Sequence, residues 1–249
     1  MIKAVTFDFW DTLVIDDSDE PKRAARGMPS KPVARLQLLT DEITRHHSQI
    51  GPERIAQAFE YANQCFRHNW KNEHFTPGVA ARLQDAYDYL KIACTPGLDE
   101  VVREIEEMEV HISPDFVTGV HTALAELAQH YTLGIISDAI HTPGRGLRQL
   151  LERQGLLRHF KYCVFSDEVG ASKPAPIVFE KAAAGLGVPL SQIAHVGDRE
   201  SNDVDGPLAM GMQAILYTGV VDRSSAQTRA NAICKDFAEL PAIIRELDR

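Results

Sequence analysis

Apolar positions between residues 16 and 112 recur with the spacing of amphipathic helices. Three series show it: Ile55, Phe59, Ala62, Phe66 and Trp70; Val79, Leu83, Tyr87 and Leu90; and Leu98, Val101, Ile105 and Met108. Pro52 and Pro77 are placed to begin helices, with Thr76 as the N-cap of the second. The polar stretch 16–32 contains several prolines and predicts a linker. The segment therefore predicts a small all-helical bundle.

The rest of the chain alternates short apolar strands with helical patterns. Strands are predicted at residues 4–8, 132–137, 162–165, 193–197 and 214–218. Strands separated by helices of this length predict an α/β protein with a Rossmann-like, doubly wound parallel sheet. Because the helical segment follows the first strand directly, we predict an α/β core of residues 1–15 and 113–249. Residues 16–112 would then form a helical cap inserted above the sheet.

Composition limits the possible partners. The chain has 249 residues, 44% of them hydrophobic, and a formal net charge of −9. This charge argues against a nucleic-acid backbone as partner, and the short basic stretch 22–26 follows four acidic residues, which favours a solvated loop. No apolar run has the length of a membrane span. Its four cysteines are scattered, which favours free thiols, and the N-terminal residues do not resemble a signal peptide. A cytoplasmic location is therefore expected, with no nucleic-acid or membrane partner; the pattern does not indicate an oligomeric state.

Polar residues cluster where the predicted strands end, which is where ligands bind in open parallel sheets. The polar segments after the strands are Asp8 to Leu13, Ser137-Asp138, Ser166 to Pro174, and Gly197-Asp198 to Asp203. A parallel sheet would bring together carboxylates, one lysine and one hydroxyl. Carboxylates can hold Mg²⁺ or act as nucleophiles, and lysine and hydroxyl groups can stabilise charge on a phosphoryl group. The sequence therefore predicts a site for phosphoryl transfer.

These four segments, in this order over nearly the whole chain, resemble the motifs of the haloacid dehalogenase superfamily of hydrolases. The third and fourth are most similar to the phosphatase-like members, and the helical insert resembles the subgroup whose cap lies between motifs one and two. The resemblance implies the role of each site residue. Asp8 would be the nucleophile and a Mg²⁺ ligand, and Lys173 would be the catalytic cation, with Asp203 in support. Other metal ligands would be Asp198 and the Trp10 carbonyl, and substrate contacts would come from Thr12, Ser137 and Asp138. The implied substrate is a small phosphorylated molecule.

Trp10 departs from that resemblance. Phosphatases of the superfamily usually carry a second Asp two residues after the nucleophile, as general acid and base. An indole cannot transfer a proton in this way, and general acid–base catalysis accelerates a reaction ~10²–10⁴-fold. Activity is therefore expected to be slow or limited to good leaving groups. Asp11 as a substitute acid is a hypothesis.

Three alternatives stay open. A weakly active or inactive protein could bind phosphorylated ligands. A 2-haloacid dehalogenase needs no proton donor and carries an aromatic residue at this place, but it uses no metal. A phosphonatase needs a cap lysine for a Schiff base, and none of Lys22, Lys31, Lys71 and Lys91 lies in a convincing apolar context. The cap residues that face the substrate are not identified by the pattern; Arg67, His68 and Trp70 are candidates, whereas His195 is expected to be a packed core residue.

Overall fold

A six-stranded, fully parallel sheet forms the centre of the computed structural model, which describes residues 1–223 and 225–249. The strand order is β3-β2-β1-β4-β5-β6. The strands are β1 (Ala4–Phe7), β2 (Thr132–Ser137), β3 (Phe160–Phe165), β4 (Ile193–Gly197), β5 (Gln213–Tyr217) and β6 (Ala232–Cys234). The predicted α/β fold class with a parallel sheet is confirmed.

Twelve α-helices accompany the sheet within the described residues. They are α1 (Glu20–Ala25), α2 (Lys31–His46), α3 (Pro52–Asn72), α4 (Val79–Leu90), α5 (Leu98–Glu106), α6 (Met108–His111), α7 (Val120–Leu127), α8 (Gly144–Arg153), α9 (Ser166–Val169), α10 (Pro176–Leu186), α11 (Gly206–Ala209) and α12 (Leu240–Leu247). A π-helical turn, Glu200–Asp205, precedes α11. None of the helices in the described ranges is long and apolar enough to span a bilayer.

Alternate residues of the strands pack on opposite faces of the sheet. Val5 and Phe7 of β1 belong to one buried cluster, together with residues of α7, α8 and α12. Ala4 belongs to a second cluster, together with Val178 and Phe179 of α10. Because side chains alternate along a strand, both faces of β1 are covered. The sheet is therefore doubly wound.

The helices α2 to α5, with Met108 of α6, pack around a hydrophobic cluster of their own. Its buried residues run from Ala34 to Met108 and include Leu39, Ile55 and Tyr87. This cluster is separate from the two that cover the sheet. The helical pattern was therefore interpreted correctly as a bundle, while the domain limits at residues 15, 16, 112 and 113 stay a prediction.

Two local predictions in this segment were wrong. The stretch 16–32 was expected to be a linker, but it contains α1 and the start of α2. Two of its charges pair inside the protein: Lys31 Nζ lies 2.7 Å from Asp19 Oδ1, and both side chains are buried. Thr76 was expected to cap a helix beginning near Pro77, but α4 begins at Val79 with Gly78 as the N-cap. Thr76 is itself buried.

The register of the central strands brings the polar segments to one edge. Phe7 of β1 lies opposite Ile135 of β2 and Val196 of β4. The chain leaves β1 toward β2 and β3 on one side and returns to β4 on the other. The carboxyl end of β1 is therefore the switch point, where ligand sites form in such sheets.

Candidate active site

Asp8 lies at the end of β1 and is held there by the sheet. Its backbone N–H donates to the carbonyl of Val196, 2.8 Å away, so the residue continues the ladder to β4. Its side chain is buried. Burial raises the pKa of Asp8 and the nearby Asp203 carboxylate raises it further, while the Lys173 ammonium opposes both effects.

Lys173 links two of the predicted carboxylates. Its Nζ donates to Asp8 Oδ1 at 2.7 Å and to Asp203 Oδ1 at 2.6 Å. The ammonium is buried, which disfavours its charge, but Asp203 and Asp8 outweigh this and raise the pKa of Lys173. Lys173 is therefore a fixed cation beside the Asp8 carboxylate.

Asp203 holds Lys173 in place and is itself held by other hydrogen bonds. His195 Nε2 lies 3.1 Å from Asp203 Oδ1, and the backbone N–H of Arg199 donates to Asp203 Oδ2 at 2.9 Å. Burial alone would raise the pKa of Asp203, but Lys173 and His195 lower it well below its usual value. A side chain at Gly197 would collide with the Asp203 carboxyl group, so the fourth polar segment requires glycine there. His195 is fully buried, in agreement with the expected core role.

Asp198 carries an oxygen that is free to bind a cation. Carboxylate oxygens of Asp8, Asp198 and Asp203 lie within 4.8 Å of one another. Asp198 Oδ1 is buried and has no hydrogen-bond partner in the described protein, whereas Oδ2 accepts from Arg223 Nε at 2.6 Å. Burial, with Asp8 and Asp203 nearby, raises the pKa of Asp198 to about 7. An unpaired buried oxygen among carboxylates fits a hard divalent cation, which takes oxygen ligands.

Two hydroxyl groups near the nucleophile lack partners. Thr12 Oγ1 and Ser137 Oγ are buried without a hydrogen-bond partner in the described chain. Buried polar groups are usually paired, so such atoms indicate a ligand-binding region. Ser137 ends β2, directly beside β1 in the sheet.

Asp138 joins the sheet to the helical segment. Its Oδ1 accepts from the backbone N–H of Lys173 at 3.0 Å, and its Oδ2 accepts from Trp70 Nε1 at 2.9 Å. Asn202 Nδ2 lies 3.4 Å from the same Oδ2. Burial raises the pKa of Asp138 to about 6. The donors around it indicate a carboxylate that holds other groups in place.

A cavity of about 280 Å³ lies over these strand ends. Both parts of the chain line it: Asp8, Trp10, Asp138, Lys173, Arg199, Asn202 and Asp203 from the core, and Lys31, Arg35, Trp70 and Glu109 from the helical segment. Of the three cap candidates, Trp70 lines the cavity, whereas Arg67 pairs with Glu60 at the surface and His68 is exposed. The volume suits a small metabolite.

None of the four cap lysines was expected to lie in a convincing apolar context. Lys31 is buried and lines the cavity. Its surroundings are carboxylates, with Asp17, Asp19 and Glu109 oxygens at 3.1, 2.7 and 3.2 Å. Burial disfavours its charge, but these carboxylates outweigh it and raise the pKa of Lys31. A protonated amine is not nucleophilic, so the raised pKa of Lys31 disfavours Schiff-base formation and hence a phosphonatase.

Neither Trp10 nor Asp11 is placed to act as the general acid. The Trp10 ring lies edge-on to Phe9, with centroids 5.1 Å apart, and the residue lines the cavity. Asp11 has a left-handed backbone, with φ of 52°, and its Oδ2 pairs with Arg223 Nη2 at 2.7 Å. Its Oδ1 accepts from the Asp16 backbone N–H at 3.1 Å. Both carboxylate oxygens of Asp11 are therefore engaged within the protein, which disfavours it as a substitute acid.

Sequence reasoning missed three charged residues here: Lys31, Arg199 and Arg223. Arg223 is isolated in the loop after β5, and its sequence neighbours give no sign that it reaches Asp198. Lys31 was noticed but assigned to a linker. For Arg199, the position directly after Asp198 was the one available signal.

The family follows from comparison with known proteins. Residues 2–211 match the family model described as haloacid dehalogenase-like hydrolase. The chain belongs to this family. It is a hydrolase, and the resemblance inferred from its four motifs is confirmed.

Relatives of this hydrolase include named phosphatases. It is 27% identical over 176 residues to mouse haloacid dehalogenase-like hydrolase domain-containing protein 3, covering 69% of this chain and 70% of the mouse protein. It is 24% identical over 226 residues to glyceraldehyde 3-phosphate phosphatase of Pyrococcus abyssi, covering 87% and 82% of the two chains.

Solved structures share the fold. A haloacid dehalogenase-family (HAD) phosphatase from Thermococcus onnurineus superposes with a TM-score of 0.66 at 23% identity, over 98% of both chains. A 2-haloacid dehalogenase from Pseudomonas syringae gives 0.67 at 21% identity, over 99% of this chain and 100% of the other. Phosphatase and dehalogenase match equally well, so the fold alone does not distinguish the two reactions.

Proposed function

We propose that this hydrolase cleaves phosphate monoesters of small metabolites, with Mg²⁺, through an aspartyl phosphate on Asp8. The observation that carries the proposal is the Asp8 carboxylate, held 2.7 Å from Lys173 Nζ and beside the unpaired Oδ1 of Asp198. A haloacid dehalogenase needs no such divalent-cation site. Relatives named as phosphatases support the same choice.

The metal would be held by the free oxygens of Asp8 and Asp198 and by the Trp10 backbone carbonyl. When bound, Mg²⁺ offsets the repulsion between an anionic nucleophile and an anionic ester. The helices within residues 16–112 would act as a cap that closes over the substrate. For the location of the protein, we propose the cytoplasm.

In the first step, an Asp8 carboxylate oxygen attacks phosphorus and the bond to the leaving oxygen breaks. Lys173 stabilises the charge on the phosphoryl oxygens, and the Ser137 hydroxyl donates a hydrogen bond to them. In the second step, water attacks phosphorus and gives up a proton to solvent, the bond between phosphorus and the Asp8 oxygen breaks, and inorganic phosphate and the Asp8 carboxylate are released. The Thr12 hydroxyl, which has no partner in the described protein, also donates to the phosphoryl group. Asp138 and Asp203 position Lys173 through its backbone N–H and its Nζ.

The leaving oxygen receives no proton from a side chain at position 10. It therefore departs as an alkoxide or takes a proton from solvent. Esters with acidic leaving alcohols are expected to react much faster than alkyl esters, because general acid catalysis, which accelerates such reactions ~10²–10⁴-fold, is missing.

Turnover of p-nitrophenyl phosphate tests the proposal. Phosphate release should need Mg²⁺, stop with EDTA and fall at least about 1,000-fold in Asp8→Asn, which removes the nucleophile. Asp99→Asn makes the same chemical change at an exposed position of α5 and should be as active as the unaltered protein. Retained turnover in Asp8→Asn would contradict the role of Asp8. No turnover with any phosphate ester would favour a ligand-binding protein.

A dehalogenase is the second candidate because an aromatic residue, Trp10, occupies the place of the acid. Chloride release from 2-chloropropionate in EDTA would support it. We expect none, since buried carboxylates at Asp198 and Asp203 suit a cation rather than a halide.

A further inference from the structure

Arg199 is a cation of the cavity that has no use in the proposed chemistry. It directly follows Asp198, is half-buried and lines the cavity. Its guanidinium carbon lies 5.7 Å from the centroid of the Trp70 ring, which comes from α3. A guanidinium over an indole face is held in place without losing its hydrogen-bonding edge. Arg199 therefore points its charge toward the helical side of the cavity.

The other cations of the cavity are already paired. Lys173 lies between Asp8 and Asp203, and Lys31 lies among three carboxylates. Arg35 Nη2 lies 3.3 Å from Glu109 Oε1, although its Nε is buried without an acceptor. By contrast, Arg199 forms no ion pair with any carboxylate of the described residues. Its charge is thus the one available to a ligand.

We propose that the leaving portion of the substrate carries a second acidic group, a carboxylate or a phosphate, that pairs with Arg199. This rests on the proposed function, in which Lys173 serves the transferring phosphoryl group. Arginine binds carboxylate and phosphate with two parallel hydrogen bonds, so it selects such groups strongly over hydroxyls. The cavity volume of about 280 Å³ limits the substrate to a small phosphorylated acid or bisphosphate.

Matched substrates test the acidic subsite. 3-Phosphoglycerate and glycerol 3-phosphate differ by a carboxylate in place of a hydroxymethyl group, and ribulose 1,5-bisphosphate and ribulose 5-phosphate differ by one phosphate. With Mg²⁺, kcat/KM should be higher for the more acidic member of at least one pair. For that pair, Arg199→Gln should reduce the ratio of kcat/KM for the more acidic member to kcat/KM for the less acidic member by about tenfold or more. The reason is that a charge-assisted hydrogen-bonded pair is lost. Most of the loss should appear in KM, because the contact is made on binding.

Arg158→Gln is the matched control, because Arg158 is exposed and lies outside the cavity. It should leave both ratios unchanged. The proposal is overturned if neither acidic member is preferred, or if Arg199→Gln slows both members of a pair equally. Equal slowing would mean that Arg199 only packs on Trp70 or contacts the transferring phosphoryl group. Failure of the proposed function has a different signature, since then p-nitrophenyl phosphate is not hydrolysed either.

Discussion

Three polar atoms beside the nucleophile are buried without a partner in the described protein: Thr12 Oγ1, Ser137 Oγ and Asp198 Oδ1. Each was removed from water on folding without gaining a hydrogen bond, which is unfavourable. A ligand that accepts from the hydroxyls and a cation that binds the carboxylate would satisfy all three. These atoms are therefore the residue-level sign that the site is built for a phosphoryl group and a metal.

Ser137→Ala tests this interpretation. Because Ser137 Oγ is buried without a partner in the described protein, the free energy of unfolding should stay unchanged or rise by about 1 kcal/mol. The KM for a phosphate ester should rise about 5- to 10-fold, because a hydrogen bond to the phosphoryl group is lost. Chemical denaturation and steady-state kinetics measure the two effects.

Ser166→Ala is its control in stability. Ser166 Oγ is also buried, but it accepts from the Ala139 backbone N–H at 2.8 Å. This change should cost about 1 kcal/mol. If Ser137→Ala destabilises the protein as much as Ser166→Ala does, or leaves KM unchanged, Ser137 does not have the proposed role.

Asp138 makes stability depend on pH. Its pKa is raised to about 6 from 3.8, so the folded protein binds a proton more tightly at this carboxyl than the unfolded chain does. Its contribution to stability is then most favourable below the unfolded pKa and is lost as pH rises through the folded pKa. The full loss is at most about 3 kcal/mol.

Asp138→Asn should remove this dependence. The free energy of unfolding of the variant minus that of the unaltered protein should therefore rise as pH increases from about 4 to about 7. Urea denaturation across that range measures the difference in the free energy of unfolding. A difference that is flat, or that falls as pH rises, would show that burial does not disfavour the charged form of Asp138.

Among the elements, apolar periodicity predicted α3, α4, α5 and the central strands, whereas no apolar series marked α2. The bounds of β2 and β4 agree with the prediction, because both strands are continuous buried runs. By contrast, β6 was missed since it has three residues at the edge of the sheet, too few to show a pattern. α1 was missed because its segment is polar and is stabilised by ion pairs around Lys31.

The hydrogen bond from Trp70 Nε1 to Asp138 Oδ2 ties α3 to the strand ends. Trp70→Phe keeps an aromatic ring near Phe66 and Arg199 but removes this donor. We expect faster amide hydrogen exchange in the C-terminal half of α3, and a KM about 5- to 10-fold higher, since the helix then closes less firmly over the substrate.

Tyr61→Phe is a control on the same helix, because Tyr61 is exposed and packs against Tyr89, away from the cavity. It should alter neither quantity. Unchanged exchange and KM in Trp70→Phe would show that the hydrogen bond does not hold α3 over the site.

In the whole molecule, the site is assembled from segments that are far apart in sequence. Parallel topology explains why Asp8, Lys173 and Asp198 could be brought together by reasoning alone, since each follows a strand of one sheet. Lys31 and Arg223 could not be placed in this way. Lys31 is the first residue of α2 and Arg223 lies in the loop after β5, where no periodicity fixes the direction of a side chain. Their long side chains reach carboxylates of other elements.

The central claim is that the Asp8 carboxylate takes the phosphoryl group from the substrate. Acid quenching during turnover with Mg²⁺, followed by borohydride reduction, converts an aspartyl phosphate into homoserine, which mass spectrometry locates in a peptide. The account predicts homoserine at position 8, and none when Mg²⁺ is withheld or in Asp8→Asn. Phosphate release from the unaltered protein with an unmodified Asp8, or with reduction at another carboxylate, would contradict it.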